Sequence, residues 1–176
     1  MSLEMLGSFI TGAGMEFPVV MRCPYEDYEK LKLTVEIATG VATLKIGGLA
    51  LIDDAKQLIA CTGDDTVGVV IILDTEHNKA IMRQGAAAST PITKELHFAA
   101  ADYIDVLPMI PGTILSVKMD DSHNAPYGTH LKTFGTDGLV GDLLASATDE
   151  PAADIGKLLC EFDAVATDSF VPMLVG

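Results

Sequence analysis

A chain of 176 residues is long enough to fold as one domain without disulfide or metal staples, since a domain of this size buries roughly 70% of the surface its unfolded chain exposes. Its 25 acidic residues outweigh 11 basic ones, for a formal net charge of −14. A surface built to neutralise phosphates is rich in Lys and Arg, so direct nucleic-acid binding is not expected. Both halves are acidic, with 12 acids and 7 bases in residues 1–88 and 13 acids and 4 bases in residues 89–176. No apolar run approaches the ~20 residues that span a bilayer. The first 17 residues lack a basic leader and carry Glu4, which makes a poor signal peptide. A soluble, unexported protein without membrane contact is the expectation.

Residues 1–24 are apolar and punctuated by Gly7, Gly12 and Gly14. Phe9, Ile10, Phe17, Val19, Val20 and Met21 show little helical periodicity, and so apolar a stretch does not suit a free disordered tail. It either folds back as an edge strand or lies on a neighbouring molecule, as strand-adding segments do. We therefore divide the chain into an extended N-terminal arm, 1–24, and a single β-rich domain, 25–176.

Residues 31–42 alternate, with Leu31, Leu33, Val35 and Ile37 on one face and Lys32, Thr34 and Glu36 on the other, as in a half-buried strand. Residues 44–74 hold short apolar runs about ten residues apart, separated by Gly47-Gly48, Asp53-Asp54 and Asp64-Asp65, a pattern of strands wrapping a small barrel or sandwich. Residues 74–79 read as a loop and 80–83 as a short strand. A helix is placed at 93–101 with Thr93 as N-cap, with a short strand pair as its alternative. Residues 103–109 and 113–119 read as two strands joined at Ile110-Pro111-Gly112. In 128–133, Thr129, Leu131 and Thr133 share one face and His130 and Lys132 the other. Pro172 restricts the last strand, 170–175, to an edge or a bulge. The fold class is mainly β, a small barrel or sandwich with at most one or two short helices.

The segment 58–74 has an echo at 144–163: a Thr before paired acids, then Val67-Gly68 or Ile155-Gly156, then an apolar run closing on Asp. The two glycines stand 88 residues apart, which fits either a degenerate repeat or one turn used twice.

Chemistry is sparsely marked. Cys23, Cys61 and Cys160 are far apart with no CxxC and read as inert thiols. Asp120, Asp121, His123 and His130 could gather around a divalent ion, and a small metal-dependent or hydrolytic β-barrel enzyme using them is the alternative function. His77 and His97 read as surface or satisfied histidines. No nucleophile elbow or phosphate-binding loop is present. No catalytic residue, metal or cofactor is expected.

The acid-rich turns between apolar strands, running from Gly47 through Ile71 and again from Gly138 through Leu159, resemble the capsid decoration (cement) proteins of tailed double-stranded DNA viruses. The strand after Pro111-Gly112, the Asp137-Gly138 turn and the strand from Val171 to Val175 are similar to that group too. The resemblance covers roughly residues 40–175. It implies a β-rich body on the outside of an icosahedral shell, often a trimer, with an arm reaching the major capsid protein or neighbouring copies. Residues 75–135 exceed what a minimal member needs and are expected to hold an outward insertion. The expectation is a non-enzymatic virion protein whose partner-binding residues are Phe9, Ile10, Phe17, Val19, Val20 and Met21.

Overall fold

Aliphatic runs bounded by Gly, Asp and Pro set the strands, as expected for half-buried pleated surfaces. The computed structural model describes residues 18–63, 65–85, 96–120, 124–134, 138–142, 154–162 and 169–176. The chain is mainly β. β1 is Val20–Arg22, and a 3-10 turn at Tyr28–Leu31 precedes β2 (Leu33–Glu36). β3 (Leu49–Ile52), β4 (Leu58–Ala60), β5 (Val69–Ile72), helix α1 (Glu76–Gly85) and β6 (Tyr103–Pro108) complete the first half. The second half holds β7 (Ile114–Met119), β8 (His130–Phe134), β9 (Leu139–Asp142), β10 (Gly156–Leu158) and β11 (Ser169–Val175).

Two sheets result. The first has the order β2-β6-β5-β3-β4. It curls far enough for Ile37, just after β2, to bridge Leu58 of β4 in parallel, which makes a half-barrel. The second runs β7-β11-β10-β8-β9 and returns to β7 through a parallel pairing, so it closes as a five-stranded barrel with β1 added outside β7. The buried side chains of both halves form one apolar cluster, from Ile37, Leu49 and Ile104 to Leu115, Leu131 and Met173.

The halves are two copies of one topology. Numbering each half's strands from one to five, both follow the order 1-5-4-2-3 with strands 3 and 1 parallel. The registers agree residue by residue. The bridge Ile37↔Leu58 becomes Met119↔Val140 when both numbers rise by 82. With the same shift for β2 and 67 for β6, Val35↔Ile104 becomes Val117↔Val171. With 81 for β3 and 86 for β5, Leu49↔Ile71 becomes His130↔Lys157. Outside the ladders, Gly47 N–H donates to Ile72 O at 2.9 Å and Ile72 N–H to Gly48 O at 3.0 Å. Their counterparts are Gly128 N–H to Leu158 O and Leu158 N–H to Thr129 O, both 2.9 Å. Left-handed residues recur as well, at Gly47 (φ 78°) and Gly128 (φ 83°), and at Lys56 (φ 61°) and Gly138 (φ 72°). A repeat is therefore present, but its shift at β5 and β10 is 86, so Gly68 matches Asp154 and Val70 matches Gly156.

Several sequence expectations need correction. The loop and strand placed at 74–83 are instead the helix α1, capped by Thr75, whose Oγ1 accepts Asn78 N–H at 3.2 Å. The helix placed at 93–101 is not seen where the chain is described: His97 forms an isolated bridge to Lys45. Thr93 lies outside the described residues. The two strands expected on either side of Ile110-Pro111-Gly112 are present as β6 and β7, and Pro111-Gly112 carries the chain from one sheet to the other. Residues 75–135 contain α1, β6, β7 and β8.

Pro172 sits in β11, which lies between β7 and β10, and not at an edge. It is tolerated because it stands where the β10 ladder ends: the last pair is Leu158↔Met173, and Pro172 contributes its carbonyl to Leu159 N–H at 2.9 Å. The missing N–H would point the same way, past the strand's end.

Candidate functional site

The expected partner-binding residues divide in two. Phe9, Ile10 and Phe17 lie outside the described residues. Val19, Val20 and Met21 belong to the body: Val19 is fully buried in the apolar cluster and Val20 packs against it. β1 pairs antiparallel with β7 through Val20↔Leu115 and Arg22↔Ile114, with an irregularity between them. Ser116 N–H donates to Val19 O at 2.8 Å. The last residues of the expected arm are thus its attachment, laid along a sheet edge.

Because β2 and β7 are equivalent, β2 shows what that edge looks like uncovered. Leu33 and Leu115 correspond, and both point inward beside a buried neighbour across the ladder, Val106 or Met173. Leu115 is 1% exposed, whereas Leu33 is 43% exposed and Leu31 42%. The difference is β1: among the described residues no strand lies along Leu33. The backbone agrees. Ala38 N–H leaves β2 toward Leu58 O at 2.9 Å, while Ile37 N–H turns the other way to Asp102 O at 2.8 Å. By strand alternation Thr34 and Glu36 point their N–H and C=O groups outward with Ala38. Alternation in the sequence identifies Leu33 as inward-facing, but it carries no signal for a missing neighbour, and Leu31, placed in the same alternating strand, instead ends the 3-10 turn before β2.

On the outer face of β2, Asp105 of β6 gathers polar groups. Its carboxylate accepts Thr34 Oγ1 at 2.8 Å and Thr75 Oγ1 at 2.9 Å, and faces Lys32 Nζ at 3.4 Å. Burial pushes its pKa up, but the Thr34 and Thr75 hydroxyls, with the charges of Lys32 and His77, prevail and hold it below the ordinary carboxylate value. A depressed pKa contributes stability that is full above the unfolded value and lost as pH falls through the folded one. Asp105→Asn should therefore flatten the acid limb of a denaturation profile below about pH 4. An unchanged acid limb in the variant would refute this role.

The remaining chemical candidates make the following contacts where they are described. His130 Nδ1 bonds the Asp154 carboxylate, which also accepts Gly156 N–H at 3.0 Å. Asp120 donates its backbone N–H to Val140 O at 2.9 Å, and Asp121 and His123 lie outside the described residues. Among the described residues, no three His, Cys, Asp or Glu side chains come together to hold a metal ion. His77 Nε2 lies 3.0 Å from Tyr103 O. Burial pushes the Cys61 thiol up to about 12 and the Cys160 thiol to about 11, so neither is a ready nucleophile near neutrality. A cavity of about 10 Å3 at the junction of the two halves, lined by Gly47, Gly48, Gly138 and Phe170, has room for one water at most. No described helix is long and apolar enough to cross a membrane.

The described site is therefore a pair of equivalent strand edges, one covered by β1 and one open. No family model and no curated protein matches the chain.

Proposed function

We propose that this chain is a virion structural protein that coats the outside of an icosahedral capsid and stabilises it by contact area rather than by chemistry. The observation that carries this is the continuity of an apolar N-terminal segment with a strand anchored at the sheet edge. Val19 is locked in the core and β1 is bonded to β7, so the sequence before Pro18 is joined to the body at a fixed point. An anchored segment bearing Phe9, Ile10 and Phe17 loses less freedom on docking than a free tail. Its partners would be the major capsid protein and neighbouring copies of this chain, with a trimer as the expected assembly. Interfaces of about 1,600 Å2 support specific binding, and repetition over a shell multiplies a modest single affinity. The net charge of −14 keeps coated particles apart.

The test uses the full chain and undecorated shells, separated by sedimentation. The double variant Phe9→Asp/Ile10→Asp should bind at least about tenfold more weakly, the loss of two buried apolar anchors. A truncation for the same purpose must stop at residue 17, because removal through residue 22 would take β1 and a core side chain with it. Equal decoration by the variant and the parent would overturn the proposal.

A further inference from the structure

The repeat makes a comparison available within one molecule. In the closed barrel β7 carries two neighbours on its outer side: β1 at its N-terminal end, along Ile114 and Leu115, and β9 at its C-terminal end, at Met119. In the half-barrel the equivalent strand β2 has the second neighbour, through Ile37 and Leu58, and among the described residues lacks the first. The vacancy is matched on three counts. Leu33 faces inward but stays 43% exposed where Leu115 is covered. Thr34, the counterpart of Ser116, aims its N–H outward where Ser116 reaches Val19 O. Leu31, just before the strand, adds apolar surface beside Leu33.

From this we infer that the β2 edge is a strand-acceptor site, filled by the N-terminal segment of a second copy through Phe9 and Ile10. The added strand runs antiparallel to β2, accepts the Thr34 N–H and covers Leu31 and Leu33. The occupant follows from what this chain already places on the same edge. The Val19-Val20 pair of β1 serves β7, and the sequence before it offers one further pair of bulky apolar residues between glycines, Phe9-Ile10 between Gly7 and Gly12. Main-chain bonds supply affinity in such strand addition, and alternate side chains supply selectivity. An uncovered edge beside apolar side chains is otherwise a template for uncontrolled pairing. The inference deepens the coat reading and rests on residues 1–17 acting as an arm. It assigns that arm a receptor on its own kind.

The experiment is residue-resolved amide exchange on the purified full chain, with no shells present, over a range of protein concentrations. Thr34 and Glu36 amides should slow by about tenfold or more as concentration rises. That protection should vanish in Phe9→Asp/Ile10→Asp and in Leu33→Lys, while β6 and β11 amides keep their protection and report an intact fold. Fast exchange at Thr34 and Glu36 at every concentration overturns the inference. So does protection independent of concentration, which would mean that the chain covers its own edge, and so does protection that survives Phe9→Asp/Ile10→Asp. Because shells are absent, failure here leaves shell binding to be judged by sedimentation. A parent chain that pairs with itself but ignores shells would instead reject the coat function alone.

Discussion

Asn78→Leu is expected to destabilise the fold by about 3–5 kcal/mol, the cost of leaving two buried polar groups, Leu73 O and Asp105 N–H, without these partners at about 1–3 kcal/mol each, and of taking one of two donors from Asp105 O. Asn78 is 0% exposed. Its Nδ2 donates to Leu73 O at 2.8 Å and to Asp105 O at 2.9 Å, and its Oδ1 accepts Asp105 N–H at 2.7 Å. These bonds fasten the first turn of α1 to the place where β6 runs beyond the end of β5. The other half meets the same geometry differently. Leu73 N–H to Asp105 O corresponds to Leu159 N–H to Pro172 O, and Pro172 has no N–H to satisfy. One copy of the repeat caps the surplus donor with a helical Asn, and the other removes it. A loss of this size is a large part of a typical 5–15 kcal/mol stability. It should lower the melting temperature by roughly 6–20 °C. A denaturation midpoint equivalent to less than about 1 kcal/mol of loss would show that water replaces the amide.

The same region explains what the sequence could and could not reveal. Strands such as Val69–Ile72, Ile114–Met119 and Leu49–Ile52 announce themselves because aliphatic runs between turn residues have few other uses. Helix α1 does not, since only Asn78 and Met82 along it are buried. Two residues four apart make too thin a stripe for helical periodicity, and one of them is polar. The local signal was the cap: Thr75 ahead of Glu76, with Arg83 in the last turn.

The repeat was legible in a different place from where the acid-rich turns and their glycines pointed. Its best sequence match pairs Leu33-Thr34-Val35-Glu36-Ile37 with Leu115-Ser116-Val117-Lys118-Met119, and Tyr103-Ile104-Asp105-Val106-Leu107 with Phe170-Val171-Pro172-Met173-Leu174. Comparing Val67-Gly68 with Ile155-Gly156 finds the right strands at the wrong shift, because an error of two residues leaves every side chain on its own face. The open β2 edge was invisible for a related reason. Alternation reports which face a residue takes, whereas a missing neighbour is a property of the sheet.

Gly138→Val should cost about 3–5 kcal/mol, combining a left-handed non-glycine residue at about 1–3 kcal/mol with overpacking of about 1–3 kcal/mol. Gly138 has φ +72°, and a Cβ there would stand 2.8 Å from both the N and O of Leu49 and 3.1 Å from Gly48 Cα. Leu49 N–H donates to Gly138 O at 3.0 Å, so the turn before β9 is pressed against the start of β3 in the other half. The repeat supplies an internal control, because the equivalent position is Lys56, also left-handed at φ 61°. A side chain is thus compatible with this turn's backbone, and close approach between the halves is what requires glycine at 138. Lys56→Ala should accordingly shift the denaturation midpoint by no more than about 0.5 kcal/mol, as at ordinary surface sites. Valine at 138 must instead push backbone against backbone, which a side-chain rotation cannot relieve. If the two variants proved equally stable, the halves would have to be separable at this seam, and the Leu49–Gly138 bond would not be part of what holds them together.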